Sequence, residues 1–180
     1  MKREVNPFDY AGEICKALPG GILLTTKRGD EVNTMTIGWG HIGIEWKLPI
    51  FVAYVRESRY TKQLLEDTSE FTINVPVGEI DNKQILGICG TKSGRDMNKI
   101  QTLGLTLEEP LAVSVPGIKE LPLTLECKVI YKQKQDLSAI PQEILDRYYP
   151  EEDDVLHPGS SRDYHIAYYG HIVSAYIIED

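Results

Sequence analysis

Phe51-Val52-Ala53-Tyr54-Val55-Arg56-Glu57-Ser58-Arg59-Tyr60-Thr61 changes character halfway along. Pro49 introduces an apolar run, Ile50 to Val55, that reads as a buried strand. Beyond it Ser58 is a candidate N-cap, and Tyr60, Leu64 and Leu65 recur at helical spacing up to Asp67. A strand end, two guanidinium groups, hydroxyls and a helix N-terminus are thereby compressed into Arg56 to Thr61. Unpaired N–H groups and the positive end of the helix dipole favour an anion, to which Arg56 and Arg59 can add charge-assisted hydrogen bonds. The alternative is a capped surface helix whose arginines pair with Glu57, Glu66 or Asp67. These residues alone give the two readings equal weight.

Working outward, β-like runs recur on both sides. Gly21 to Thr26 ends at the turn Lys27-Arg28-Gly29-Asp30, and Asn33 to Trp39 follows. Phe71 to Val75 stops at Pro76, Leu111 to Val115 is a further strand candidate, and Leu123 to Tyr131 alternates at Leu123, Leu125, Cys127 and Val129. Tyr164 to Tyr169 and Gly170 to Ile178 are two more runs around a glycine. Helices are expected from Glu79 to Cys89, ending near Gly90, and from Ile140 to Tyr149. Glu151 to Asp154 reads as a solvated loop. With no repeat or low-complexity tract, this pattern predicts a mainly β fold with short helices, a closed or partly closed barrel rather than a doubly wound sheet.

The chain has 180 residues with 42% apolar and 26% charged, the composition of one well-filled globular domain spanning residues 1–180. A net charge of −8 argues against nucleic acid or an anionic membrane as partner, so any anion site must be local. No stretch approaches the roughly 18 consecutive apolar residues of a membrane span, and Met1-Lys2-Arg3 is followed by no apolar leader core. A cytoplasmic protein is expected. Cys15, Cys89 and Cys127 lack any Cys-x-x-Cys pair, and the four histidines lack ligand spacing, so neither a disulfide framework nor a metal site is expected. The cysteines read as buried small apolar residues, the histidines as structural or surface groups, and Glu108-Glu109 and Asp153-Asp154 as solvated faces.

Two further segments carry chemistry. Gly90-Thr91-Lys92-Ser93-Gly94-Arg95-Asp96-Met97-Asn98-Lys99 combines basic residues, hydroxyls and two glycines that permit close backbone approach, without the spacing of a nucleoside-triphosphate loop. Asn33-Thr34-Met35-Thr36-Ile37-Gly38-Trp39-Gly40 is a strand in which Met35, Ile37 and Trp39 share the core-facing parity. Its Asn33, Thr34 and Thr36 are unusual for a purely structural strand. They suit the polar edge of a planar heterocycle, with Trp39 against its face or rim.

Taken together, the order and spacing of Asn33 to Trp39, Phe51 to Thr61, Glu70 to Pro76 and Ser93 to Asp96 with Lys99 resemble the flavin reductase-like FMN-binding split barrels, particularly their flavoredoxin-like branch. Asn98 stands where an Asp is common in that family. The resemblance implies a homodimeric split β-barrel holding FMN non-covalently near the subunit interface, with NADH or NADPH as the usual electron donor. It places Asn33, Thr34, Met35, Thr36 and Trp39 along the isoalloxazine ring. Arg56, Ser58, Arg59 and Thr61 would hold the side chain and phosphate, and Ser93, Gly94 and Arg95 would close the site. Arg95 and Lys99 are candidates for stabilising negative charge at the flavin's pyrimidine end, and no catalytic acid or base is required because the flavin carries the chemistry. Three readings remain: an NAD(P)H-dependent flavin reductase, an FMN electron carrier exchanging electrons with a redox protein, and a barrel binding some other phosphate ligand.

Overall fold

A computed structural model of the chain describes residues 1–78, 81–150 and 163–179. Its scaffold is a strongly curved antiparallel sheet. The strands are β1 (Lys2–Glu4), β2 (Ile22–Arg28), β3 (Glu31–Ile37), β4 (Gly40–Glu45), β5 (Leu48–Arg56), β6 (Glu70–Val75), β9 (Leu123–Lys134) and β10 (His165–Ile178), and a separate small ladder holds β7 (Leu107–Glu108) and β8 (Gly117–Ile118). The order across the sheet is β3-β2-β6-β9-β10-β5-β4, with β1 pairing β10. Its two ends, β3 and β4, are consecutive in the chain and joined by Gly38 and Trp39 alone. So short a link forces the sheet to curl until its two edges come close, although the strand order leaves β3 and β4 unpaired with each other. The result is the split barrel that the sequence predicts.

Period-2 alternation fills the interior. Leu24, Met35, Phe51, Phe71, Leu125 and Tyr168, each from a different strand, belong to one buried cluster. Burial of each large apolar side chain contributes roughly 1.5–3 kcal/mol. The opposite parity of β2 serves an outer layer, where Leu23 packs with Cys89, Leu105, Ile118 and Leu121 beneath the helices α3 (Lys83–Thr91) and α4 (Lys99–Leu103). The other helices are α1 (Ala11–Ala17), α2 (Tyr60–Thr68) and α5 (Gln142–Tyr148).

Several expectations are corrected. The two runs expected at Tyr164–Tyr169 and Gly170–Ile178 are one strand, His165–Ile178, with register shifts at Tyr169/Gly170 and Ile172/Ser174. A Cβ at Gly170 would lie 2.4 Å from the Phe71 ring and 2.8 Å from Cys127 Cβ on β9, so only glycine leaves room for that ring. Leu111 to Val115 is a series of bends rather than a strand. Its amides are taken by carboxylates instead of a ladder: Leu111 and Ala112 donate to Glu126 at 2.7 and 2.6 Å, and Ser114 donates to Glu70 at 2.7 Å. Cys89 and Cys127 are buried as expected, but Cys15 is exposed. The helix expected from Glu79 begins at Lys83; its first two residues, like the loop expected at Glu151 to Asp154, lie outside the described residues. No helix among the described residues is long and apolar enough to cross a membrane.

Candidate active site

The cleft lies where the curled sheet fails to close. β5 ends at Arg56, a turn at Glu57 and Ser58 follows, and α2 starts at Tyr60. Beside this turn runs β3, and the loop between α3 and α4 closes over both. Two connected chambers result. The first, about 270 Å³, is walled by Asn33 and Met35 of β3, by Ser58 to Thr61, and by Lys92 to Arg95 with Lys99. The second, about 250 Å³, continues along β3 to Gly38 and Trp39 and is completed by Tyr54, Arg56 and His165. Met35, Thr36 and Arg59 line both.

Every site residue expected from the sequence therefore borders one cleft, with the exception of Thr34. Thr34 is fully buried against β2, where its hydroxyl donates to the Leu24 carbonyl at 3.3 Å and accepts from Thr25 at 3.0 Å. Thr36 anchors α3 by donating to the Leu86 carbonyl at 2.7 Å. Asn33 donates to Thr61 Oγ1 at 2.8 Å, tying β3 to the first turn of α2. Trp39 departs from the core-facing parity expected of it; β3 ends at Ile37, and the indole is 39% exposed at the rim.

The structure divides the two arginines that the sequence places in one cradle. Arg56 points into the second chamber, donating to the carbonyls of Asp163 at 3.1 Å and Tyr148 at 3.3 Å. Arg59 stays at the junction of the chambers. Each acid that could have paired with it is engaged elsewhere: Glu57 with Lys134 at 2.6 Å, Glu66 with Lys132 and the Tyr168 hydroxyl, and Asp67 with Arg28 at 3.5 Å. Among the described residues no carboxylate pairs with Arg59, Arg95 or Lys99. Ser58 is not the N-cap. Arg59 occupies that position without a side-chain cap, and Ser58, one residue earlier, gives its N–H and hydroxyl to Asp163.

The closing loop is fitted closely. Arg95 donates to the Ser58 carbonyl at 3.3 Å and lies over the Tyr60 ring, 5.2 Å from its centroid. A Cβ on Gly94 would stand 2.2 Å from Asn33 Oδ1 and 2.8 Å from the Tyr60 ring. Glycine is what permits this approach. Lys99 is almost fully buried and donates to the Lys92 carbonyl at 3.3 Å; burial pushes its pKa down, with the nearby Arg59 charge acting the same way.

Sequence reasoning missed the aromatic wall of the second chamber. His165 Nδ1 meets the Tyr149 hydroxyl at 2.6 Å, and its ring lies 4.6 Å from Trp39. Burial, reinforced by the Arg56 and Arg59 charges, pushes the His165 pKa down to about 3, so the imidazole is neutral at ordinary pH. His165 sits opposite Arg56 in the β10–β5 ladder, a pairing that local sequence does not reveal. Its one local signal is a polar residue at the head of a long β-like run.

The family described as flavin reductase like domain matches residues 16–179, and the chain belongs to that family. Uncharacterised proteins of Archaeoglobus fulgidus and Pyrococcus abyssi are 35% and 31% identical, over 56% and 72% of this chain. The matches span 55% and 73% of those proteins, so the chain aligns with little more than half of the A. fulgidus relative. Among solved structures, the FMN-binding domain of a flavin reductases-like enzyme from Shewanella baltica superposes with a TM-score of 0.64 at 17% identity, over 98% of this chain and 77% of that one. A flavoredoxin from Methanosarcina acetivorans gives 0.63 at 21% identity, over 88% and 68%, and an NADH:FAD oxidoreductase from Streptomyces globisporus gives 0.62 at 15%, over 98% and 87%. At such identities the likeness is one of fold.

Proposed function

We propose that the chain binds one FMN per subunit of a cytoplasmic homodimer and acts as an NAD(P)H-dependent flavin reductase. The observation that carries this reading is Arg59, a guanidinium with no carboxylate partner among the described residues, set between an anion-suited turn and a strand of polar and small side chains. The cleft fits the ligand in kind: donors gather at one end, and the rings of Trp39, Tyr54 and His165 stand at the other. Arg59, Ser93 and Arg95 would hold the phosphate, Thr61 and Asn33 the polar chain, and Met35, Thr36 and Trp39 the ring, with Lys99 supplying positive charge nearby. When bound, FMN supplies the hydride and electron transfer; the protein positions it and sets the field around it.

Joined, the two chambers fall within the roughly 300–1,000 Å³ typical of ligand pockets. The dimer follows from the likeness to the family, and a second subunit would cover the open side of the cleft. Beyond Trp39 an open depression of about 470 Å³, lined by Leu18, Pro19, Tyr54 and others, gives a nicotinamide room to approach. The test is anaerobic mixing of the FMN-loaded protein with NADH and with NADPH. Rapid loss of the flavin's visible absorption with either is expected. A flavin that dithionite bleaches and nicotinamides do not would make the protein an electron carrier, and failure to bind FMN at all would leave another phosphate ligand for the cleft.

A further inference from the structure

Asp163 lies 105 residues beyond Ser58 in the chain, yet both of its carboxylate oxygens are spent on that residue. Oδ1 accepts the Ser58 N–H at 2.8 Å, and Oδ2 accepts the Ser58 hydroxyl. Ser58 lines the first chamber beside Arg59 and Arg95. The Asp163 backbone is held there from several sides: Arg56 donates to its carbonyl at 3.1 Å, the Glu57 amide donates to the next carbonyl, Tyr164 O, at 3.0 Å, and β10 starts two residues on, opposite Arg56. An oxyanion taking one backbone and one hydroxyl donor at a strand-to-helix turn reproduces what such a turn offers a phosphate oxygen.

We propose that Asp163 is an internal anion of the cleft, seated on the Ser58 donors that a flavin phosphate would otherwise take, and that it thereby sets the selectivity of the site between FMN and riboflavin. The inference rests on the FMN reading above. A phosphate drawn to Arg59 either displaces the Asp163 carboxylate from Ser58 or binds beside it against like-charge repulsion. Both routes lower the affinity for phosphorylated ligand and leave the phosphate-free flavin untouched. Asp163 is a specificity-determining residue on this account. Were it only a latch joining β10 to α2, its neutralisation would change both flavins alike.

The experiment titrates wild type and Asp163→Asn with FMN and with riboflavin at fixed salt, with thermal melting as a check on folding. The expected result is FMN binding tightened about tenfold in the variant, with riboflavin changed less than about twofold. Equal changes for both flavins, or weaker FMN binding, would overturn the proposal. A measurement on the wild type needs no variant: the ¹³C resonance of the Asp163 carboxyl should move when FMN is added and stay when riboflavin is added, and identical responses would again overturn it. If neither flavin binds, the FMN reading fails by itself; inorganic phosphate then serves as the probe, and the proposal stands or falls on whether phosphate moves the Asp163 resonance.

Discussion

Asn33 Nδ2 donates to Thr61 Oγ1 at 2.8 Å, a buried hydrogen bond that fastens the polar strand of the cleft to the first turn of the helix facing it. This contact, with the Tyr60 hydroxyl donating to Glu31 at the start of the strand, holds the two walls of the first chamber in register. Thr61→Val keeps the shape and removes the acceptor, leaving the Asn33 amide unpaired in a buried setting at a cost of about 1–3 kcal/mol. Urea unfolding should report that loss, and FMN and riboflavin affinities should fall together. An unchanged midpoint would mean that the contact does not hold the walls.

Gly94 presses on the same asparagine. A methyl group there would fall 2.2 Å from Asn33 Oδ1, and because Asn33 is pinned by Thr61, the loop rather than the strand must give way. Gly94→Ala should weaken FMN binding by about tenfold or more while shifting stability by no more than about 1 kcal/mol, since the loop is partly exposed. Gly87 in α3, whose added Cβ would meet nothing within 4 Å, is the matched control and should bind FMN as the wild type does. Equal affinities for the two alanine variants would contradict the loop's role in closing the site.

His165 gives a pH dependence of known sign. Burial and the two arginines depress its folded pKa to about 3, whereas the unfolded chain titrates near the ordinary value of about 6.5. Below that value the unfolded state takes up a proton that the folded state refuses. Stability present above pH ~6.5 is therefore lost as the pH falls toward 3, at about 1.4 kcal/mol per unit. Between pH 6.5 and 5 the wild type should lose about 2 kcal/mol more than His165→Gln, as read from urea midpoints at the two pH values. Parallel losses would mean that the imidazole is not held neutral by the fold.

Much of this arrangement was legible in the chain because it is local. The alternation of Leu123, Leu125 and Cys127 and the apolar run of Ile50 to Val55 identify strands whose neighbours merely confirm them. Arg59, Asn33 and the Ser93 to Arg95 loop carry their chemistry in their own segments. What sequence could not show depends on distant partners. Leu111 to Val115 has strand composition, but the carboxylates of Glu126 and Glu70 capture its amides first. Ser58 looks like a helix cap until Asp163 claims it. Thr34 belongs to the right strand, but its hydroxyl is taken by Thr25 and the Leu24 carbonyl of the neighbouring β2, partners that its own segment does not reveal. His165 reaches Trp39 because β10 pairs with β5, and Tyr149 joins them from the end of α5 through its hydrogen bond to His165.

A flavin phosphate against Arg59 is the contact on which the proposed function stands, and equilibrium titration of wild type and Arg59→Ala with FMN and riboflavin reads it out. Loss of one charge-assisted hydrogen bond, worth roughly 1.5–3 kcal/mol, should weaken FMN by about one to two decades and leave riboflavin nearly unchanged, with the fold intact. Equal changes for the two flavins would contradict this and take the phosphate off Arg59, leaving it to the Ser93 to Lys99 side of the cleft alone.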